Sequence, residues 1–250
     1  MPVIILPEWT PGTIALYILL AIVTLSIGIL DALGLSKIAY SKFRSSQGMD
    51  SRLGMFIVYA LPAAVGYFFA ARYLDKATPI QWMLFLTIEA HFVKRCLEVL
   101  FIHRYSGEIE VRSVYAIAIF YCFITGYAAY LHNQTIAQVD ALFELGIGLF
   151  VAGELINFWH HKLLADLRKG NTKYRIPQGG LFALVSCPHY LGELTAWLGL
   201  ALMSRHLFLA IVFIGMTIYL VERALRTQTW YHRQFPNYPK SRKAILPFLL

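Results

Sequence analysis

The run TIALYILLAIVTLSIGILDALG, residues 13–34, decides the fold class. Its 22 positions include one charged side chain, Asp31. A helix rising 1.5 Å per residue needs about 20 mostly apolar residues to cross the roughly 30 Å hydrocarbon core of a bilayer, and this run supplies them. Six more apolar runs follow, at 54–72, 80–101, 114–131, 138–158, 182–203 and 207–222. They predict an all-α polytopic membrane protein: a seven-transmembrane-helix bundle forming a single membrane domain over 1–250, or six spans if one run is re-entrant. The first 30 residues carry no Lys or Arg, so the first run reads as a span and not as a cleavable signal peptide.

The composition agrees. Of 250 residues 58% are hydrophobic and only 14% charged, and the mean hydropathy is +0.58. Soluble domains are near a quarter charged, so this balance excludes a soluble globule, and it excludes disorder as well. Cys96, Cys122 and Cys187 are odd in number, far apart and set in or beside apolar runs, which reads as reduced packing residues and not as a disulfide framework.

The net charge is +8. The basic residues lie between the apolar runs and form no single block or face, which argues against nucleic acid. If the seven runs alternate sides, one set of loops holds Lys37, Lys42, Arg44 and Arg52, then Arg104 and Arg112. It continues with Lys162, Arg168, Lys169, Lys173 and Arg175, and ends in a tail with Arg223, Arg226, Arg233, Lys240, Arg242 and Lys243. That is 17, against 3 on the other side (Arg72, Lys76 and Arg205). Cytosolic loops are enriched in Lys and Arg, so the 159–181 loop and the C-terminus are expected in the cytosol, and membrane lipids are expected partners.

Charges inside apolar runs are costly and usually face a cavity or a partner. The third run carries Glu89, His91, Lys94, Arg95 and Glu98. The last four share one helical face, and Lys94 and Arg95 each stand within pairing distance of Glu98 along the helix. Snorkelling charges at a helix end and a functional polar face both fit that pattern. The fifth run carries Asp140, Glu144 and Glu154 and ends in Asn157-Phe-Trp-His160-His161. Adjacent histidines are poor chelators on a helix, where i and i+4 suit a metal, so no metal site is expected, even with His189 added.

The basic segment 162–181 contains Arg168, a Gly170-Asn171 turn and Tyr174-Arg175-Ile-Pro177-Gln178-Gly179-Gly180. Arginine forks and a glycine-lined helix start suit either a phosphate-bearing cofactor or lipid headgroups. Next comes Ser186-Cys187-Pro188-His189-Tyr190-Leu-Gly192-Glu193. Glu193, with His189 four residues earlier and Tyr190 close by, reads either as a proton-handling group or as a carboxylate satisfied at a helix N-terminus.

Taken in order, these stretches resemble the steroid 5α-reductase family, which includes the very-long-chain enoyl-CoA reductases. The resemblance is strongest over 85–250. It rests on Lys94-Arg95-Cys-Leu-Glu98-Val-Leu-Phe-Ile-His103-Arg104-Tyr105-Ser106 and on Tyr174-Arg175-Ile-Pro177-Gln178-Gly179-Gly180-Leu-Phe182 leading to Cys187-Pro188-His189-Tyr190-Leu-Gly192-Glu193. It rests also on Trp230-Tyr231 with Tyr238-Pro239-Lys240-Ser241-Arg242-Lys243-Ala. It implies an NADPH-dependent oxidoreductase that saturates a C=C bond conjugated to a carbonyl in a lipid, either a 3-oxo-Δ4 steroid or a trans-2-enoyl-CoA. Asn157, Arg168, Tyr174, Arg175, His189, Arg223 and Tyr231 stand at positions implied to contact the cofactor. Tyr190, Glu193, Lys94 and Glu98 stand where catalytic groups are implied, with Tyr190 as proton donor. The steroid-reducing members place a Tyr in the third span and a Glu in the second; here the former position is Phe92, and 54–72 has no carboxylate. His189 replaces a usual Asn, and His161 a usual Asp. Lys94-Arg95-Cys-Leu-Glu98 and Tyr190 resemble the enoyl-CoA reductases, whereas Arg175-Ile-Pro177-Gln178-Gly179-Gly180 resembles the steroid branch. A membrane S-adenosylmethionine-dependent methyltransferase and a noncatalytic scaffold of the same fold are the alternatives. The implied membrane is the endoplasmic reticulum in a eukaryote and the inner membrane in a bacterium.

The charge asymmetry makes a direct prediction. Cysteines introduced near Asn171 and near His132 should label from opposite sides of a sealed membrane; labelling of both from one side contradicts the topology.

Overall fold

The computed structural model describes residues 4–33, 48–131, 134–136, 138–169 and 174–250. The expected Gly170-Asn171 turn and Lys37, Lys42, Arg44 and Lys173 lie outside the described residues. Seven α-helices are present among those described: α1 (Pro11–Ala32), α2 (Ser51–Tyr73), α3 (Pro79–Leu97), α4 (Val111–Tyr130), α5 (Ala141–Leu167), α6 (Pro188–Ser204) and α7 (Leu207–Gln234). Two short strands, β1 (Met49–Asp50) and β2 (Glu108–Ile109), pair antiparallel between loops.

The helix starts follow from local chemistry. Asp50 accepts from Arg52 N and Leu53 N at 3.0 and 2.9 Å and opens α2. Thr78 and Gln81 form a reciprocal capping box at α3, with Pro79 in the first turn, where its missing N–H costs nothing. Asp140 caps α5 through Phe143 N at 3.1 Å and pairs with Arg205, which holds its carboxyl below the usual range.

The helices do not coincide with the apolar runs at three places. The run at 182–203 begins as a single 3₁₀ turn over Gly180–Ala183, and α6 starts only at Pro188. Gly179 and Gly180 take φ of +89° and +51°, and a Cβ on Gly180 would press on His160 Nε2 at 2.8 Å. A left-handed, glycine-only bend therefore precedes α6. The runs at 138–158 and 207–222 extend as helix to Leu167 and Gln234, carrying polar turns past the apolar part. Four helices, α2, α4, α5 and α7, are long and apolar enough to cross a membrane. α3 carries Glu89, Lys94 and Arg95, and α6 has 17 residues, so neither meets that standard alone.

The molecule has two ends. β1 meets β2, Arg168 donates to the Arg104 carbonyl at 2.9 Å, and Val185 bridges to Lys243, so these basic segments share one end. Ile5 bridges to His206 at the other end, where Arg205 meets Asp140. Large apolar side chains such as Val151, Leu155 and Trp159 on α5 face outward, as lipid-facing positions do.

α5 packs most extensively on α6, α2 on α4, and α1 on α7. Lipid tails give no hydrophobic preference for one helix over another, so close packing decides the association. Gly146 and Gly153 of α5 lie against Gly199 and Gly192 of α6: a Cβ on Gly199 would meet Gly146 O at 2.5 Å, and one on Gly192 would meet Asn157 N at 2.5 Å. Gly148, on another face, has nothing within 4 Å. Gly153→Ala should therefore destabilise by about 1–3 kcal/mol. Gly148→Ala should be neutral or stabilise by up to about 1 kcal/mol. Detergent-phase melting curves of the two variants check this, and equal shifts would contradict it.

Candidate active site

Three helices meet around the polar end of α3. There α3 widens into a π turn over Glu98–Ile102, closed by His103 N donating to Glu98 O at 2.7 Å. Such turns often mark functional positions because they change the side-chain direction of one residue. The expected shared face is formed. Lys94 Nζ lies 2.5 Å from Glu154 Oε2 and 3.2 Å from Glu98 Oε1, and it donates to Asn157 Oδ1 at 2.8 Å. His91 Nδ1 sits 2.6 Å from Glu154 Oε1. Asn157 Nδ2 then donates to the His189 carbonyl at 2.9 Å, which ties α5 to the first turn of α6.

Arg95 is the centre of a second, deeper group. Its Nη1 pairs with Glu98 and lies 2.8 Å from His161 Nδ1, and its Nη2 donates to the Tyr59 hydroxyl at 2.8 Å. His161 Nδ1 is also 3.0 Å from Glu98 Oε2. The ligand atoms of Glu98, His103 and His161 fall within 4.8 Å of one another, but the guanidinium already supplies a positive charge to that carboxylate. A second cation there would be repelled, so the chemistry of this group does not suit a metal. In the loop beyond the π turn, burial holds His103 below its usual imidazole range and pushes the Tyr105 phenol up. His160, by contrast, is structural: its Nδ1 faces Ile156 O at 2.6 Å, and its Nε2 accepts from Leu181 N at 3.0 Å, fixing the glycine bend before α6.

A cavity of about 190 Å³ opens beside Arg95, toward the basic end. Of the residues the resemblance assigns to catalysis or to the cofactor, Tyr190, Glu193, His189 and Arg168 line it. Lys94, Glu98 and Asn157 do not; they stand behind its wall and hold it. Tyr174 lies further out, with its ring 4.9 Å from Trp230 and the Arg168 guanidinium 5.8 Å above it. Arg175 is exposed, Arg223 is buried in α7, and Tyr231 stacks on Tyr238 at 5.0 Å. None of these four lines the cavity.

Sequence reasoning missed Tyr59, Arg104 and Tyr105 as lining residues, noted His161 only as the replacement of an Asp, and left Arg95 on a polar face without a role. Arg104 and Tyr105 were within reach, since they follow the polar run directly. Tyr59 sits in an apolar run and carries no signal of its own.

Residues 109–250 match the family described as 3-oxo-5-alpha-steroid 4-dehydrogenase. The chain belongs to this family. It is 38% identical over 168 residues to 3-oxo-5-alpha-steroid 4-dehydrogenase 1 of Rattus norvegicus, covering 64% of each chain. It is 37% identical over 166 residues to the protein of the same name from Homo sapiens, again covering 64% of each. Very-long-chain enoyl-CoA reductase of Dictyostelium discoideum is 35% identical over 170 residues, covering 64% of this chain and 55% of that protein. The matches thus span less than two thirds of these relatives. The family match over 109–250 includes the cavity's contributions from α5, α6 and α7, and with the four long apolar helices the family makes this an integral membrane protein.

Proposed function

We propose that this family member is an NADPH-dependent reductase that saturates a C=C bond conjugated to a carbonyl in a lipid. The observation that carries the reading is the cavity itself, cationic at its mouth through Arg104 and Arg168 and lined further along by a phenol and a carboxyl, Tyr190 and Glu193. Both relatives' names support it, one describing action on a 3-oxo steroid and the other on an enoyl-CoA. We take all seven helices as spans, with the basic end and C-terminus cytosolic.

The donor set fits the cofactor. Two guanidiniums at the mouth suit phosphate, Arg175 adds a third on the exposed approach, and the Tyr174–Trp230 pair beside Arg168 offers an aromatic wall. What bound NADPH supplies is a hydride for the carbon β to the carbonyl. Asn157 orients the first turn of α6 through the His189 carbonyl, with Lys94 fixing its amide in turn. Tyr190, its ring 4.2 Å from that of His189, donates the proton that completes the reduction at the α-carbon. Glu193, three residues on, orients the substrate. Arg223 and Tyr231 of α7, which the resemblance assigns to the cofactor, contribute from outside the cavity lining.

Purified protein should oxidise NADPH with a 3-oxo-Δ4 steroid or with a trans-2-enoyl-CoA when the two are offered side by side. NADPH binding without turnover on either would point to a noncatalytic scaffold, and stabilisation by S-adenosylmethionine but not NADPH to a methyltransferase. Arg168→Ala should raise the NADPH Kd by about 10- to 150-fold through loss of one charge-assisted contact. Tyr190→Phe should cut turnover by roughly 10²–10⁴ while leaving NADPH affinity nearly unchanged. Near-normal turnover would remove Tyr190 from the mechanism.

A further inference from the structure

We propose that Tyr59 of α2 holds the substrate's carbonyl oxygen, through a phenol oriented by Arg95. This rests on the reductase reading above. A conjugated carbonyl gathers negative charge on oxygen as its β-carbon is reduced, and a donor fixed at that oxygen stabilises the change most effectively. Phe92, at 0% exposure, has no hydroxyl to offer.

The geometry places a phenol alongside. Phe92 stands edge-on to Tyr121, with ring centroids 5.3 Å apart. Tyr121 in turn stacks on Tyr59 at 6.2 Å. Tyr59, only 6% exposed, lines the cavity together with Arg95, Tyr190 and Glu193. Arg95 donates to the Tyr59 oxygen at 2.8 Å. Guanidinium has no acceptor, so Arg95 itself does not take up the Tyr59 proton. An oxygen that accepts from a cation is also polarised into a stronger donor.

Arg95 is itself held still. Its other arm engages Glu98 and lies 2.8 Å from His161 Nδ1, so the fork reaching Tyr59 keeps one direction. Met55, Met216 and Leu220 line apolar parts of the same cavity and suit the body of a lipid. Tyr59 keeps its proton throughout: it donates a hydrogen bond to the carbonyl oxygen, and the proton gained by the α-carbon comes from another group.

The test uses full-length Tyr59→Phe, which removes one oxygen and leaves the ring. The substrate is whichever of the 3-oxo-Δ4 steroid and the trans-2-enoyl-CoA the wild type reduces. A second measurement compares binding of the saturated carbonyl product with a counterpart in which C=O is CH₂. The variant should lose roughly 10²–10³-fold in kcat/KM. The wild type should prefer the carbonyl ligand by about tenfold, as one hydrogen bond allows, and the variant should show no preference. NADPH Kd should stay at the wild-type value, while the melting temperature should fall modestly because Arg95 Nη2 loses its acceptor. Turnover within threefold of wild type, or a retained preference for the carbonyl, overturns the assignment while leaving the reductase reading intact. A fall in NADPH affinity overturns it too, because the hydroxyl would then be serving the cofactor and not the carbonyl. Failure of the wild type to reduce either substrate removes both readings together.

Discussion

Inside an apolar bundle an unpaired charge is too costly to keep, and Arg95 is where this molecule meets that constraint most tightly. Loss of hydration makes a buried ion expensive unless partners and hydrogen bonds surround it. Arg95 has Glu98 from its own helix, His161 from α5 and Tyr59 from α2. Satisfying one guanidinium thus brings three helices together, and the cavity opens beside it. Lys94 repeats the logic one step around the helix, with Glu154 and Asn157 of α5 as partners. Buried pairs of this kind add little net stability compared with apolar packing; their value here is that they fix direction and register at a site.

The second support is close backbone approach. Gly146 and Gly153 on α5, and Gly192 and Gly199 on α6, leave no room for a Cβ between the two helices. That contact brings Asn157 to the His189 carbonyl and turns Tyr190 and Glu193 toward the cavity. The glycine bend at 179–180, seated over His160, sets where α6 begins. The polar network and the glycine contact therefore position the same first turn of α6 from two directions.

Much of this is legible in the sequence, and the reasons for the remainder are physical. Apolar runs announce helices because a span must satisfy its backbone internally, and the Lys94–Glu98 face is visible because i, i+3 and i, i+4 neighbours share a side. The segregation of basic loops to one end is readable by counting. What is not readable is pairing between distant segments. Tyr59 looks like any aromatic in an apolar run until Arg95 is seen 2.8 Å away. The glycines of α5 and α6 carry meaning only once their register is known. The late start of α6 escapes hydropathy because residues 182–187 are apolar without being helical. Arg223 and Tyr231, which the family resemblance assigns to the cofactor, lie outside the cavity lining.

The central claim is that this cavity transfers hydride to a conjugated lipid carbonyl system. The most direct measurement is isotope transfer from NADPH carrying deuterium at C4 of the nicotinamide, followed by mass spectrometry of the reduced lipid. The account predicts one deuterium at the carbon β to the carbonyl, from one of the two C4 positions, with the α-carbon proton drawn from water. Product without β-deuterium, or NADPH consumption without a saturated lipid, would contradict it.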